Sequence, residues 1–374
     1  MGRLSWSATS CAALAAVAVA IAVRPGTQGM PPSELIHARA ARAGKVRGTP
    51  SYRADALRRA TVWQAPQDRS STSLATTPDP SHTFAASPIE CRYQPERAQG
   101  TTFKFDCLLA SGEVVKVKYG GTEEIQAEVA ASRLLTRLGF AADRMFVVPR
   151  IRCYGCPRWP FELSWAADRF GIREALMRQF SSDRYVDFTW TAVERRYPGA
   201  AIEADGVEGW SWHELEEDGE SSGASDAERD ALRLVAMLLA HWDNKSANQR
   251  LVCLDRDAGS AERCARPVAM IHDLGATFGP NKVDLAAWTA APIWRDPGRC
   301  TLSMRQFPYQ GGTFPDTQIG EAGRRLLVRE LDTISDSETR EWFEGARFQD
   351  VDAWTAAFRG KTRQIKAAGP CPTL

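Results

Sequence analysis

From Ser225 to Trp242 the chain reads SDAERDALRLVAMLLAHW, and its leucines, valine and methionine cover nearly the whole circumference of a helix. A helix that is apolar on nearly every side has to be surrounded by protein rather than laid on a surface. Ser225 and Glu228 have capping-box spacing, which sets where the helix begins. The fold must therefore be large enough to enclose it. At 374 residues, with 44% hydrophobic and 25% charged residues, the chain has the material for one large or two ordinary domains. A net charge of +1 gives no reason to expect nucleic acid as a partner.

Ahead of that helix the pattern is strand-rich. TTFKFDCLL and EVVKVKY alternate about Ala110-Ser111-Gly112, which predicts a hairpin. Thr122 stands at a capping position, Glu123 and Glu124 suit the positive end of a helix dipole, and Ala127, Ala131, Leu134 and Leu138 keep helical spacing up to Gly139. MFVVPRI and FTWTAVERRYPG read as further strands. Beyond Glu214 helices dominate, broken by the short apolar strands RLVCL and VAMIHDL and followed by EAGRRLLVREL and SETREWFEGA. A strand-rich half before a helix-rich half predicts an α+β fold of two lobes, about 88–195 and about 196–374.

The first residues carry a different signal. MGR supplies a positive start, CAALAAVAVAIAV an apolar run, and Ala20-Ile21-Ala22 a small-x-small site, which predicts a signal peptide or N-terminal anchor over 1–23. The run is about 13 residues, short of the roughly 20 that span a bilayer. Residues 24–87 read as a disordered linker with a possible short helix at 53–65. The linker's arginines are compatible with peripheral contact to an anionic membrane face, a solvated tether being the plainer reading. Of the nine cysteines, Cys11 belongs to the apolar run, and the remaining eight suit disulfides in an exported chain. Proximity favours Cys91 with Cys107, Cys153 with Cys156, and Cys253 with Cys264. A zinc ribbon would need a second C-x2-C pair beside Cys153 and Cys156, and the sequence has none.

The end of the buried helix bears the chemistry. His241, Asp243, Lys245 and Asn248 stand at H-x-D-x-K-x-x-N spacing, and Ile271-His272-Asp273-Leu274-Gly275 follows. The first group resembles the protein-kinase catalytic loop and the second its D-F-G element with leucine for phenylalanine. Lys118, at the end of VKVK, and Glu128, on the next helix, match the lysine and glutamate that such a site uses, with Lys116 and Glu124 as rivals. The resemblance covers 88 to about 350. It is closest in manner to atypical kinase-like branches: HipA-like, phosphatidylinositol-kinase-like and secretory-pathway kinases.

That resemblance implies a two-lobed protein-kinase-like fold that binds ATP with Mg²⁺ or Mn²⁺ between its lobes. Asp243 would be the base for an acceptor hydroxyl and Lys245 a stabiliser of the transferring phosphoryl group. Asn248 and Asp273 would hold the metal. Lys118 would orient phosphates and Glu128 would hold Lys118. Gly100 and Thr101 would cover the phosphates, although the usual G-x-G-x-x-G is absent, and Glu194 falls where the adenine-gripping hinge would be. His272 reads as support for the metal loop, and His241 as structural. The acceptor, whether protein, lipid, sugar or small molecule, is not written in the sequence. One rival reading is a catalytically inactive kinase-fold binding protein at the cell surface, motivated by scarce external ATP and the reduced glycine loop. Another is a disulfide-stapled structural module in which the spacing is coincidental.

Overall fold

The computed structural model of the 374-residue chain describes residues 31–40, 44–66, 73–79, 81–95, 100–171, 184–216, 223–255, 264–280, 282–308 and 311–373. The signal or anchor expected at 1–23, with Cys11, lies outside them. In chain order the elements are α1 (Ser33–His37), β1 (Lys45–Gly48), α2 (Pro50–Arg58), β2 (Ile89–Gln94), β3 (Lys104–Leu108), β4 (Val114–Lys118), α3 (Glu123–Arg137), β5 (Arg144–Tyr154), α4 (Pro160–Phe170) and β6 (Tyr185–Arg195). They continue with β7 (Ala200–Ala204), α5 (Asp226–Leu239), β8 (Gln249–Cys253), β9 (Pro267–Ile271), α6 (Leu285–Ala290), β10 (Thr301–Leu302), β11 (Thr317–Gln318), α7 (Glu321–Leu331), α8 (Asp336–Gly345) and α9 (Val351–Ala367). Strands and helices mix as an α+β fold. Among the described residues no helix is long and apolar enough to cross a membrane.

The chain forms two compact units: 1–41, 82–120 and 148–191 make the first, and 42–81, 121–147 and 192–374 the second. In the first, β2, β3, β4, β6 and β5 close a five-stranded barrel in that order. The predicted hairpin is its β3–β4 pair, with Phe105 opposite Val117 and Lys104 opposite Lys118. Gly112, at φ +85, makes the turn. Cys91–Cys107 and Cys153–Cys156 are both bonded in this unit, two of the three local pairs expected from spacing.

The second unit wraps α5 as its apolar circumference requires, and every residue from Arg229 to Leu239 is buried. Ser225 and Glu228 make both bonds of the capping box. Beside it lies a sheet in the order β1-β7-β8-β9. Cys253–Cys264 is the third expected disulfide, and Cys300–Cys371 ties the C-terminal segment back across 71 residues. Two local expectations differ. Thr122 precedes α3 as expected, but its buried hydroxyl makes no capping bond among the described residues. The stretch 24–87, which reads as a linker, is structured where described: α2 buries Ala56 and Leu57, and Leu74 is fully buried. The cause is tertiary, since Arg53 donates to the Gly209 carbonyl and to both Glu214 oxygens.

At the centre of this unit stands Phe278, fully buried, with its ring centroid 5.2–6.3 Å from those of Trp288, Trp342, Phe343, Phe348 and Trp354. Such aromatic groupings add edge-on contacts to their large buried area. We predict that Phe278→Ala costs about 3–5 kcal/mol of stability, the usual range for emptying a buried aromatic site. A stability loss of less than about 1 kcal/mol in denaturant unfolding would show that the cluster does not anchor the unit.

Candidate functional site

Helix α5 stops at Leu239 because Ala240 turns left-handed, at φ +53 and ψ +46. The next residue, His241, is fully buried, and neither ring nitrogen finds a hydrogen-bond partner among the described residues. Burial pushes its pKa down to about 4, against the opposing pull of Asp243 and Asp273. Asn244, also fully buried, then does the work of a backbone turn. Its Nδ2 donates to the carbonyls of His241 and Trp242 at 3.1 and 3.2 Å, and its Oδ1 accepts from Thr313 and Phe314 amides at 2.8 and 2.9 Å.

Three of the expected catalytic and metal residues, Asp243, Lys245 and Asn248, meet through short bonds. Lys245 Nζ lies 3.1 and 3.0 Å from the two Asp243 carboxylate oxygens. Asn248 Nδ2 donates to the Asp243 carbonyl at 2.6 Å. Because β8 and β9 pair antiparallel with Gln249 opposite Ile271, Asn248 and His272 fall at the same end of the ladder. The His272 amide donates to the Asn248 carbonyl at 2.8 Å, and Asp273 follows in a left-handed conformation, φ +53. An amide and a carboxylate side chain thus leave one strand end together, and oxygen donors of this kind suit a hard divalent cation. With the Asn248 nitrogen committed to Asp243, its oxygen is the atom available for such an ion.

The loop after Asp273 is fixed from two sides. Phe278 donates its amide to the Leu239 carbonyl, the last of α5. Gly275 packs so closely on α3 that a Cβ there would run into the side chain of Glu124, which is ion-paired with Lys282. The carboxylate that rivals Glu128 is therefore held against the loop after Asp273. Glu128 itself is buried, one turn further along α3. Glu194, near the end of β6, is 1% exposed, and its carboxylate lies within 4.8 Å of ligand atoms of Asp143 and His272.

The remaining expected residues belong to the first unit. Lys118 is buried on β4, whereas Lys116 is half-buried. Gly100, at φ +72, and Thr101 line a cleft of about 740 Å³ with Phe103, Trp159, Phe161 and Trp165. Its lining is mainly apolar, unlike a row of phosphate-facing amides.

Sequence reasoning missed Asn244, Asp143 and the anchoring part of Phe278. Asn244 stands inside the quoted motif and Phe278 just beyond D-L-G, so spacing could have flagged both. Asp143, in AADRMF, carries no local signal. Trp210 and Trp212 are fully buried, and the Trp288 and Trp342 indoles donate to the Leu238 and Ala130 carbonyls, whereas Trp159, Trp165 and Trp190 are exposed.

No protein-family model and no curated protein matches the chain. Among solved structures, the crystal structure of a Helicobacter pylori proinflammatory kinase, CtkA, is similar to it at 11% identity and a TM-score of 0.39, over 75% of this chain and 94% of that one. Likeness of that degree is too low to support a fold or an activity.

Two outcomes follow from the loops. Gly275→Ala should lose about 1–3 kcal/mol through overpacking. In a double-mutant cycle Glu124→Ala should relieve much of that loss, and strict additivity would exclude the contact. His241 is neutral when folded down to about pH 4, while the unfolded chain takes up a proton near 6.5. Its contribution is therefore full above pH 6.5 and falls by up to roughly 3 kcal/mol as pH drops to about 4. His241→Gln should flatten the stability profile over that window, and an unchanged slope would count against the buried neutral ring.

Proposed function

We propose that the chain is an exported, kinase-like phosphotransferase that moves the ATP γ-phosphate to a hydroxyl acceptor not yet identified. The observation that carries this reading is the β8–β9 end, where Asn248 and Asp273 emerge together and Asn248 is bonded to Asp243. In this reading Asp243 accepts the acceptor hydroxyl proton, since a carboxylate beside the reacting oxygen is what that step needs. Lys245, now paired with Asp243, releases it to meet negative charge on the transferring group. Asn248 and Asp273 would hold Mg²⁺ or Mn²⁺, which would supply positive charge to offset the negative charge of the phosphates. Lys118 orients the phosphates and Glu128, rather than the engaged Glu124, holds Lys118. Gly100 and Thr101 would cover the phosphates, and the segment at Glu194 would serve as the hinge that grips adenine. The four disulfides support an oxidising compartment.

The second reading, a kinase-fold binding protein without transfer activity, draws support from the mainly apolar cleft at Gly100 and Thr101, a poor phosphate cradle. The test is a thermal-shift titration of the purified, oxidised chain with ATP and Mn²⁺ or Mg²⁺. Stabilisation should approach about 2.7 kcal/mol at a hundredfold excess over Kd and be lost in Asp273→Ala. Asp243→Ala should keep the shift while losing transfer of labelled phosphate to added acceptors. Absence of any nucleotide- or metal-dependent shift would sink the enzyme reading and leave the binding protein.

A further inference from the structure

Behind the metal loop lies a buried polar group that none of the roles above uses. Asp143, just ahead of β5, is 5% exposed. Its Oδ1 accepts the Tyr197 amide at 2.6 Å, and its Oδ2 lies 2.6 Å from His272 Nδ1. Arg250 Nη1 stands 3.3 and 3.4 Å from the two carboxylate oxygens. Arg250 Nη2 is in turn 2.9 Å from His272 Nε2 and 3.2 Å from Nδ1. Burial alone would push the Asp143 carboxyl up, but Arg250 and His272 outweigh it and hold the pKa at about 2. Asp143 is therefore an anion bonded to both strand ends of the site.

The sequence positions of its partners matter. Arg250 lies two residues after Asn248, and His272 immediately precedes Asp273. A single carboxylate thus grips one residue within two positions of each expected metal ligand. The cluster of Asp143, Glu194 and His272 has ligand atoms within 4.8 Å of one another, as a metal site would. Arg250, however, already brings a permanent positive charge against Asp143 and His272. A divalent cation there would face that guanidinium, so the cluster reads as an ion-pair network.

We propose that Asp143 is a positioning residue for the metal loop: by holding His272 and Arg250 it sets Asn248 and Asp273 at the separation one divalent cation needs. This rests on the phosphotransferase reading and goes beyond it in naming what supports the two ligands. Groups that orient metal-binding residues typically change metal affinity by about 10–100-fold when removed.

The experiment measures the Mn²⁺ concentration giving half-maximal thermal stabilisation of the full chain at saturating ATP, for wild type and Asp143→Asn. The variant keeps the side-chain volume but loses the charge. A rise of about tenfold or more in half-saturating Mn²⁺ is expected, with half-saturating ATP at saturating Mn²⁺ within about twofold of wild type. Loss of a buried ion pair lowers the melting temperature whatever its purpose, so that drop does not decide the matter. An unchanged Mn²⁺ requirement in a folded Asp143→Asn chain overturns the inference. If that variant does not fold, Arg250→Gln is measured in the same way, with the same rise expected and the same null result overturning it. A wild-type chain with no Mn²⁺-dependent stabilisation overturns the phosphotransferase reading itself and this inference with it.

Discussion

The backbone of Phe278 ties the loop after Asp273 to the last carbonyl of α5. Its ring is set among Trp288, Trp342, Phe343, Phe348 and Trp354, its amide donates to the last carbonyl of α5, and its carbonyl accepts from Asp284. The residue also sits at φ +60, an uncommon conformation for a bulky side chain. That backbone is held by the surrounding aromatic contacts. Without the cluster, the exit from α5 and the loop after Asp273 would lose the bond that joins them.

Around this anchor the site is built largely by side chains substituting for backbone. Asn244 makes four hydrogen bonds to main-chain atoms, and Asn248 donates one to the Asp243 carbonyl. Buried amides with fixed partners are costly to disturb, because each orphaned group loses its hydration without replacement. That cost keeps the loop in one conformation. His241 departs from the pattern, with both nitrogens unpartnered among the described residues, and the protein tolerates it by keeping the ring uncharged near neutral pH.

Local spacing made part of this legible. The capping box of α5, the β3–β4 hairpin, and three disulfides closing loops of 16, 3 and 11 residues follow from interactions between near neighbours. The Cys300–Cys371 bond, the burial of the Pro50–Arg58 helix, whose presence a short helix at 53–65 anticipated in part, and the missing cap at Thr122 do not, because each depends on what the rest of the chain brings nearby. Arg53 illustrates the difference: nothing around it in sequence announces Gly209 and Glu214, yet those partners make an apparent linker into structure.

The motif shows the same division. The sequence alone determined that His241, Asp243, Lys245, Asn248 and Asp273 would lie near the ends of a buried helix and two short apolar strands, since periodicity fixes where such elements stop. Only the tertiary structure decided that Asn248 and His272 share a ladder end, that Glu124 is drawn to Lys282, and that Asp143 grips Arg250 and His272 from 107 and 129 residues away. Hydrogen bonds and ion pairs act over a few ångströms whatever the separation along the chain. Contacts of that kind leave no periodicity for a reader of the sequence to find.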